Sequence, residues 1–328
     1  MKIAHIFSLV VAGAAFAAEP VLELPGGEGP GKGRPIVLLA GDEEYRSEEA
    51  LPMLAHVLSA RHGFPCTVLF SVDPATGVID PNRSDSLAGS EALDRAQVIV
   101  MSLRFRRWSD DAMKRFEAAL HRGVPVVALR TSTHAFQFKE GPWQRYNRFG
   151  KDVLGEGWVS HWGVHKKEAN RAIPEPGAEG LALLHGVGDI VVESDTYEAY
   201  PPADAKILLR GQVLQGLTGD TPPATYRKKR AKDGQEQAVN EPMMPVAWTR
   251  DYVNPAGTTN RIFCTTMGAA SDLDDENLRR LVVNAVYQSA GLPVPPRADV
   301  TPVGEFKPTF FGFGTFKKGV KPADLAQP

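Results

Sequence analysis

The stretch PIVLLAGDEEYRSEE, residues 35–49, decides the fold. Its apolar run stops at Gly41 and a polar cluster follows: Asp42, Glu43, Glu44, Tyr45, Arg46 and Ser47. Leu51, Leu54, Val57 and Leu58 then recur at helical spacing. Strand, turn and helix in that order open an α/β domain, and open α/β sheets bind ligands beyond the carboxyl ends of their strands. The turn therefore gathers carboxylates, a phenol and a guanidinium where such a fold would place a site. The same residues also suit a plain solvated turn, because Ser47 followed by Glu48 and Glu49 is a good helix N-terminus.

Working outward, the alternation continues. Residues 36–40 and 48–61 read as the first strand and helix, 66–70 as a second strand and 96–102 as a third. Residues 110–121 form an amphipathic helix with Met113, Phe116 and Leu120 on one stripe, and 124–129 a fourth strand. Apolar strands separated by helices predict a mainly parallel sheet covered on both faces. Beyond Arg130 the periodicity loosens. Residues 245–248 and 261–266 read as a late strand pair, and 274–288 as a final helix. The expected organisation is a secretory signal (1–17), a flexible Gly/Pro-rich leader (18–34), one α/β domain (35–291) and a Pro- and Phe-rich tail (292–328). A polar insertion at 218–241, with a basic run at 227–230, reads as a solvated, mobile loop. A free tail with five phenylalanines would be a liability, so it is expected to pack on the body or on a partner chain, which leaves room for a homodimer.

The chain has 328 residues and a formal net charge of −2, which argues against a nucleic-acid partner. Lys2, the apolar run 3–16 and Ala15-Phe16-Ala17 have the pattern of a cleaved secretory signal, so a secreted or periplasmic protein is expected. No later stretch approaches the length of a membrane span. Cys66 and Cys264 sit in apolar, strand-like runs; buried free thiols and a bridge are both open.

Arg104, Arg106 and Arg107 follow the third strand, and Arg130, Thr131, Ser132, Thr133 and His134 follow the fourth. Three strand ends thus point acids, guanidiniums and an imidazole at one crevice, suited to a hydroxylated or anionic ligand. Mutual neutralisation of the charges is the plain alternative. No nucleophile elbow with flanking glycines follows the fourth strand, which argues against serine-hydrolase chemistry. His161 and His165, in SHWGVH, are four apart, a metal-ligand spacing on a helix. Gly163 and Trp162 between them argue against a helix, and no third ligand is adjacent, so no metal or other cofactor is assigned. Asp195 and Tyr197 follow a further strand-like run, GDIVVES. Trp143, Tyr146, Trp158 and Trp162 could stack on sugar faces or pack beneath a long loop.

Taken in order, GDEEYRSEEALPML, LRFRRWSD, PVVALRTSTHAF, FGKDVLGEGWVSHWGVH, SDTYEAY, PMMPVAWTR and RIFCTTMGAASDLDDENLRRLVVNAVYQSAG resemble the trehalose-utilisation, ThuA-like family. The resemblance implies a flavodoxin-like three-layer α/β fold, that of class I glutamine amidotransferases without their cysteine. It also implies a role in carbohydrate metabolism, on glycosides or their keto-sugars. Arg130 stands where the family commonly carries His, and Gly268-Ala269 where it often carries Gly-His; His161 lies where the family usually has a histidine. The leading expectation is an enzyme acting on a saccharide or keto-sugar by acid–base chemistry, of isomerase, lyase or hydrolase type. Its catalytic set would be His161, Glu44 and Arg130. Asp42, Glu43, Tyr45, Arg46, Arg104, Arg106, Thr131, His134, Trp162, His165, Asp195 and Tyr197 would contact substrate. The alternatives are a non-catalytic carbohydrate-binding or assembly protein on the same fold, and a metal-dependent hydrolase using His161 and His165.

Overall fold

A computed structural model describes residues 20–327. The expected secretory signal lies outside the described residues. In chain order the elements are β1 (Val21–Leu24), β2 (Ile36–Gly41), α1 (Ser47–His62), β3 (Cys66–Phe70), β4 (Val98–Leu103), α2 (Asp110–His121), β5 (Val126–Leu129), β6 (Ser160–His161), β7 (Asn170–Pro174), β8 (Ile190–Val192), β9 (Tyr197–Glu198), β10 (Lys206–Val213), β11 (Arg227–Lys229), β12 (Glu236–Ala238), β13 (Met244–Val253), β14 (Thr259–Thr265) and α3 (Glu276–Ser289).

Ten strands form one sheet in the order β1-β3-β2-β4-β5-β14-β13-β10-β7-β8. The run from β3 to β14 is parallel. Every other pairing is antiparallel. The sheet is therefore α/β but mixed, which corrects the mainly parallel expectation. The reason lies in the connections. β13 runs into β14 through residues 254–258, too short for a crossover, so the pair must be a hairpin. Asn254 builds that turn by accepting from the backbone N–H of Ala256 at 2.9 Å, and Gly257 adopts φ 81°.

Helices cover both faces of the parallel strands. Alternate residues of β2 divide between two cores. Ile36, Leu38 and Ala40 pack with α1 and α3, whereas Val37 and Leu39 pack with α2. That is why strands buried on both sides read as unbroken apolar runs. α2 forms where expected because Ser109 caps it, accepting from Ala112 N–H at 3.3 Å, and because Met113, Phe116 and Leu120 share its buried stripe. α3 is capped by Asp275, which accepts from the N–H groups of Asn277 and Leu278. Among the described residues no helix is long and apolar enough to cross a membrane. Cys66 and Cys264 are buried free thiols.

Two of the three peripheral segments differ from their expected state. The leader contributes β1, paired antiparallel with β3 and anchored by buried Leu22. The insertion is a β11–β12 hairpin tied to the body rather than a mobile loop. Glu198 accepts from Ala231 N–H at 2.9 Å and Lys232 N–H at 3.1 Å, and Lys228 reaches inward. The tail packs back on the body as expected. Val300 and Phe311 are buried, Ile79 N–H donates to Val320 O at 2.8 Å, and His56 Nε2 lies 2.8 Å from Leu325 O.

Candidate functional site

The site lies beyond the carboxyl ends of β2, β4 and β5, where the strand order reverses around β2. Each of these strands leads into a non-glycine residue in the left-handed region: Arg46 (φ 59°), Phe105 (φ 51°) and Arg130 (φ 43°). Such conformations persist only where the surroundings impose them, and they cluster at functional sites.

The turn after β2 is built by Asp42. Its Oδ1 accepts from the N–H groups of Glu44 at 2.7 Å and Tyr45 at 3.0 Å, Thr131 donates to Oδ2, and Ser47 Oγ accepts from Asp42 N–H. Asp42 and Thr131 are buried with their polar atoms engaged, so they shape the site without facing it. Arg46 is likewise fully buried, donating to Glu43 O and lying 3.5 Å from Glu48. Arg106, buried beneath the crevice, binds Glu43 at 2.6 Å and Pro81 O at 2.9 Å. Trp162 belongs to a separate apolar cluster, its indole donating to Val239 O at 2.7 Å. The structure thus gives internal partners to five residues expected to contact substrate: Asp42, Arg46, Arg106, Thr131 and Trp162. Sequence patterning marks where such groups fall along the chain but not how deeply each is packed.

Two partly exposed imidazoles and a buried guanidinium converge on Asp195, itself buried. Its Oδ2 lies 2.8 Å from His161 Nδ1 and its Oδ1 lies 3.0 Å from His165 Nδ1. Arg130 Nη2 donates to the same Oδ1 at 3.0 Å, and Nη1 donates to the backbone oxygens of Asp195 and Thr266, both at 2.7 Å. Burial alone would raise the Asp195 carboxyl, but Arg130 and the two imidazoles hold it well below the usual carboxylate range. Arg130 is fully buried between two phenol rings, 4.6 Å from the Tyr45 centroid and 3.9 Å from that of Tyr197. Burial pushes Tyr45 up to about 12 and Tyr197 well above its ordinary value, so both stay neutral. Arg130, expected as a catalytic group, lies fully buried behind Asp195 with Nη1 and Nη2 both engaged.

His165 is held twice, by Asp195 and by Glu44, whose Oε1 lies 3.3 Å from His165 Nε2. Those two hydrogen bonds raise it to about 9, so it is an imidazolium at neutral pH. Burial opposes the ionised form of Glu44, yet His165 and Arg104 keep it below its ordinary value. Arg104 lies 3.8 Å from Glu44 and pairs with Glu43. Burial, then Arg104 and Arg130, push His134 well below its ordinary value, making it a neutral imidazole. His161 keeps a third of its side chain exposed (36%), and its Nε2 has no partner among the described residues.

The rim closes through aromatic contacts. Trp158, 43% exposed, lies 5.6 Å from His134 and 5.8 Å from His161; Trp143 and Tyr146 are core. From the tail, Phe311 stacks on Tyr45 at 4.9 Å and sits 5.6 Å from His165, and Phe313 lies 5.1 Å from the Arg104 guanidinium. Gly312 N–H donates to Glu44 O at 2.8 Å. Phe311, Phe313 and Lys228 were not expected at the site. Lys228 Nζ donates to the backbone oxygens of His161 at 3.0 Å and Trp162 at 2.8 Å. The density of phenylalanines in the tail was the available signal; the basic run gave none that separates an anchoring lysine from solvated charge.

His161 and His165 meet without a helix. A short strand pairing, His161 with Tyr197, is followed by a turn at Gly163, whose N–H donates to Thr196 O at 3.1 Å; a Cβ there would lie 3.3 Å from Asp195 Cβ. The rings end 4.5 Å apart. Asp195 supplies in space the third group that the local sequence lacked, and His161, His165 and Asp195 present ligand atoms within 4.8 Å of one another. Two imidazoles and a carboxylate form a donor set suited to a first-row divalent metal.

No protein-family model and no curated protein matches the sequence. Solved structures match it in fold. A ThuA-like protein from Parabacteroides merdae aligns with a TM-score of 0.52 and 14% identity, over 80% of this chain and 92% of that one. A ThuA-like protein from Bacteroides uniformis aligns with a TM-score of 0.50 and 15% identity, over 81% and 94%. At such identity the likeness is one of fold, and in fold this chain is similar to the ThuA-like proteins that its motifs resemble.

Proposed function

We propose that this chain acts on a keto-sugar or glycoside by acid–base chemistry, with His161 as the base. The observation that carries this is the His161–Asp195 pair: a carboxylate fixes Nδ1 at 2.8 Å and leaves Nε2 facing the crevice. Proton abstraction from the carbon beside a ketone moves the C–H electron pair toward the carbonyl, whose oxygen gains the charge. Arg104, partly exposed, is the cation that can meet that oxyanion; Arg130 is buried and engaged, and both ring nitrogens of His165 are taken by Asp195 and Glu44. Return of the proton gives isomerisation or epimerisation, and loss of a glycosidic oxygen from the neighbouring carbon gives elimination. General acid–base help is worth about 10²–10⁴-fold. Trp158 and Phe313 are exposed faces on which a sugar ring could stack. We read the parallel strands as a flavodoxin-like unit extended by antiparallel ones, and the protein as exported.

A second reading rests on the triad His161, His165 and Asp195. A divalent metal held there would polarise a carbonyl or lower the pKa of water. Both imidazole Nδ1 atoms now lie against Asp195, so metal binding would replace those hydrogen bonds.

The test is proton NMR in heavy water with a 3-keto-glucoside. Exchange of the proton beside the ketone, lost in His161→Ala, supports the enzyme. Exchange that persists in a folded His161→Ala variant removes His161 as the base. Line broadening without exchange favours a binding protein, and exchange abolished by a chelator and restored by zinc favours the metal.

A further inference from the structure

A second recess lies away from the crevice, between the first turns of α1 and the tail, with a volume of about 210 Å³. Its walls are apolar: Met53, Ile79, Phe306, Val320 and Leu325. Its floor is not. Glu48 is 8% exposed, and neither of its carboxylate oxygens has a hydrogen-bond partner among the described residues. Arg46 Nε pairs with Oε1 as an ion at 3.5 Å but makes no hydrogen bond to it. Beside it Glu49 accepts from Thr309 N–H at 2.6 Å through Oε2 and leaves Oε1 unpartnered. His56 also lines the recess, with Nε2 2.8 Å from Leu325 O.

Buried polar atoms without partners are rare in native proteins and call for an occupant. Here the unpartnered carboxylate oxygens are all acceptors, which selects an occupant that donates. The apolar walls select one with a short hydrocarbon body. A cavity of about 150 Å³ accommodates benzene, so this one suits a body of roughly six or seven carbons. The rim lysines do not fill the role. Lys307 pairs with Glu305 at 2.6 Å in solvent, and Lys317 stays 4.0 Å from Glu49.

We propose that this recess is a second binding site, for a small primary amine with an apolar body, its ammonium held by Glu48 and Glu49. Nothing in the acid–base reading of the crevice requires it, and the two readings fail separately. Burial pushes Glu48 up to about 7, against the lowering pull of Arg46 and of the Glu48 backbone N–H.

The experiment is calorimetric titration of the full chain at pH 8 with n-hexylamine and, in parallel, n-hexanol. Saturable 1:1 binding of the amine, at least tenfold tighter than the alcohol and weakened at least tenfold in Glu48→Gln, is the expected result. No saturable amine binding, equal binding of both probes, or an unchanged affinity in Glu48→Gln would overturn the proposal. Should Glu48→Gln fail to fold, Met53→Trp fills the recess from α1, and amine binding that survives it places the ligand elsewhere.

Discussion

At the scale of single residues, the site depends on charges buried in pairs. Arg130 and Asp195 are both fully buried and 3.0 Å apart. Removing one partner of such a pair leaves an uncompensated charge, at a cost of about 3–5 kcal/mol. Arg130→Met is therefore expected to lose about that much stability in urea unfolding. A loss below about 1 kcal/mol would show that Asp195 does not rely on it. Glu48 gives a pH dependence of defined sign. Its folded pKa, about 7, is above the usual value for a glutamate, so the unfolded chain releases this proton more readily. Its contribution is most favourable below about pH 4.5 and is lost as pH rises through 7. The stability difference between Glu48→Gln and the wild type should shift toward the variant by roughly 2–3 kcal/mol between pH 4.5 and 8. A flat difference would mean that Glu48 titrates normally.

At the scale of elements, local signals were legible where one element forms on its own terms. The α2 stripe was readable because its 3.6-residue periodicity lies within one short run of the chain, and the structure adds Ser109 as its cap. Ser109→Ala is expected to cost about 1 kcal/mol, measured by thermal or urea unfolding. The β11–β12 hairpin was not legible as an anchored element, because what fixes it is Lys228 donating to carbonyl oxygens more than sixty residues away. Lys228→Met should free the His161 turn, seen as faster amide exchange in residues 160–165, with turnover in the proposed acid–base reaction reduced about tenfold. Unchanged exchange would make the lysine incidental.

At the scale of the whole molecule, the tail completes the crevice. Phe311 is buried against Tyr45 and Ala269 and stands beside His165. Phe311→Ala should cost about 3–5 kcal/mol as a large-to-small core change. It should also weaken binding of the proposed saccharide, followed by the change in tryptophan fluorescence on titration. A variant as stable as the wild type would show that the tail lies on the body without supporting it. The packing of the tail was expected from its aromatic density; its place at the rim was not, since composition carries no address.

The sequence by itself determined the strand–turn–helix opening, the parallel strands β2 to β5, the helices α1 to α3 and the cluster of charged groups at the strand ends. Those features follow from periodicity and from residues adjacent in the chain. The tertiary structure alone decided that five sheet pairings are antiparallel. It alone decided which charges are buried scaffold and which face the crevice, and it brought Asp195 between two histidines thirty and more positions earlier. Burial and long-range pairing are set by where distant segments meet, and no local pattern records that meeting.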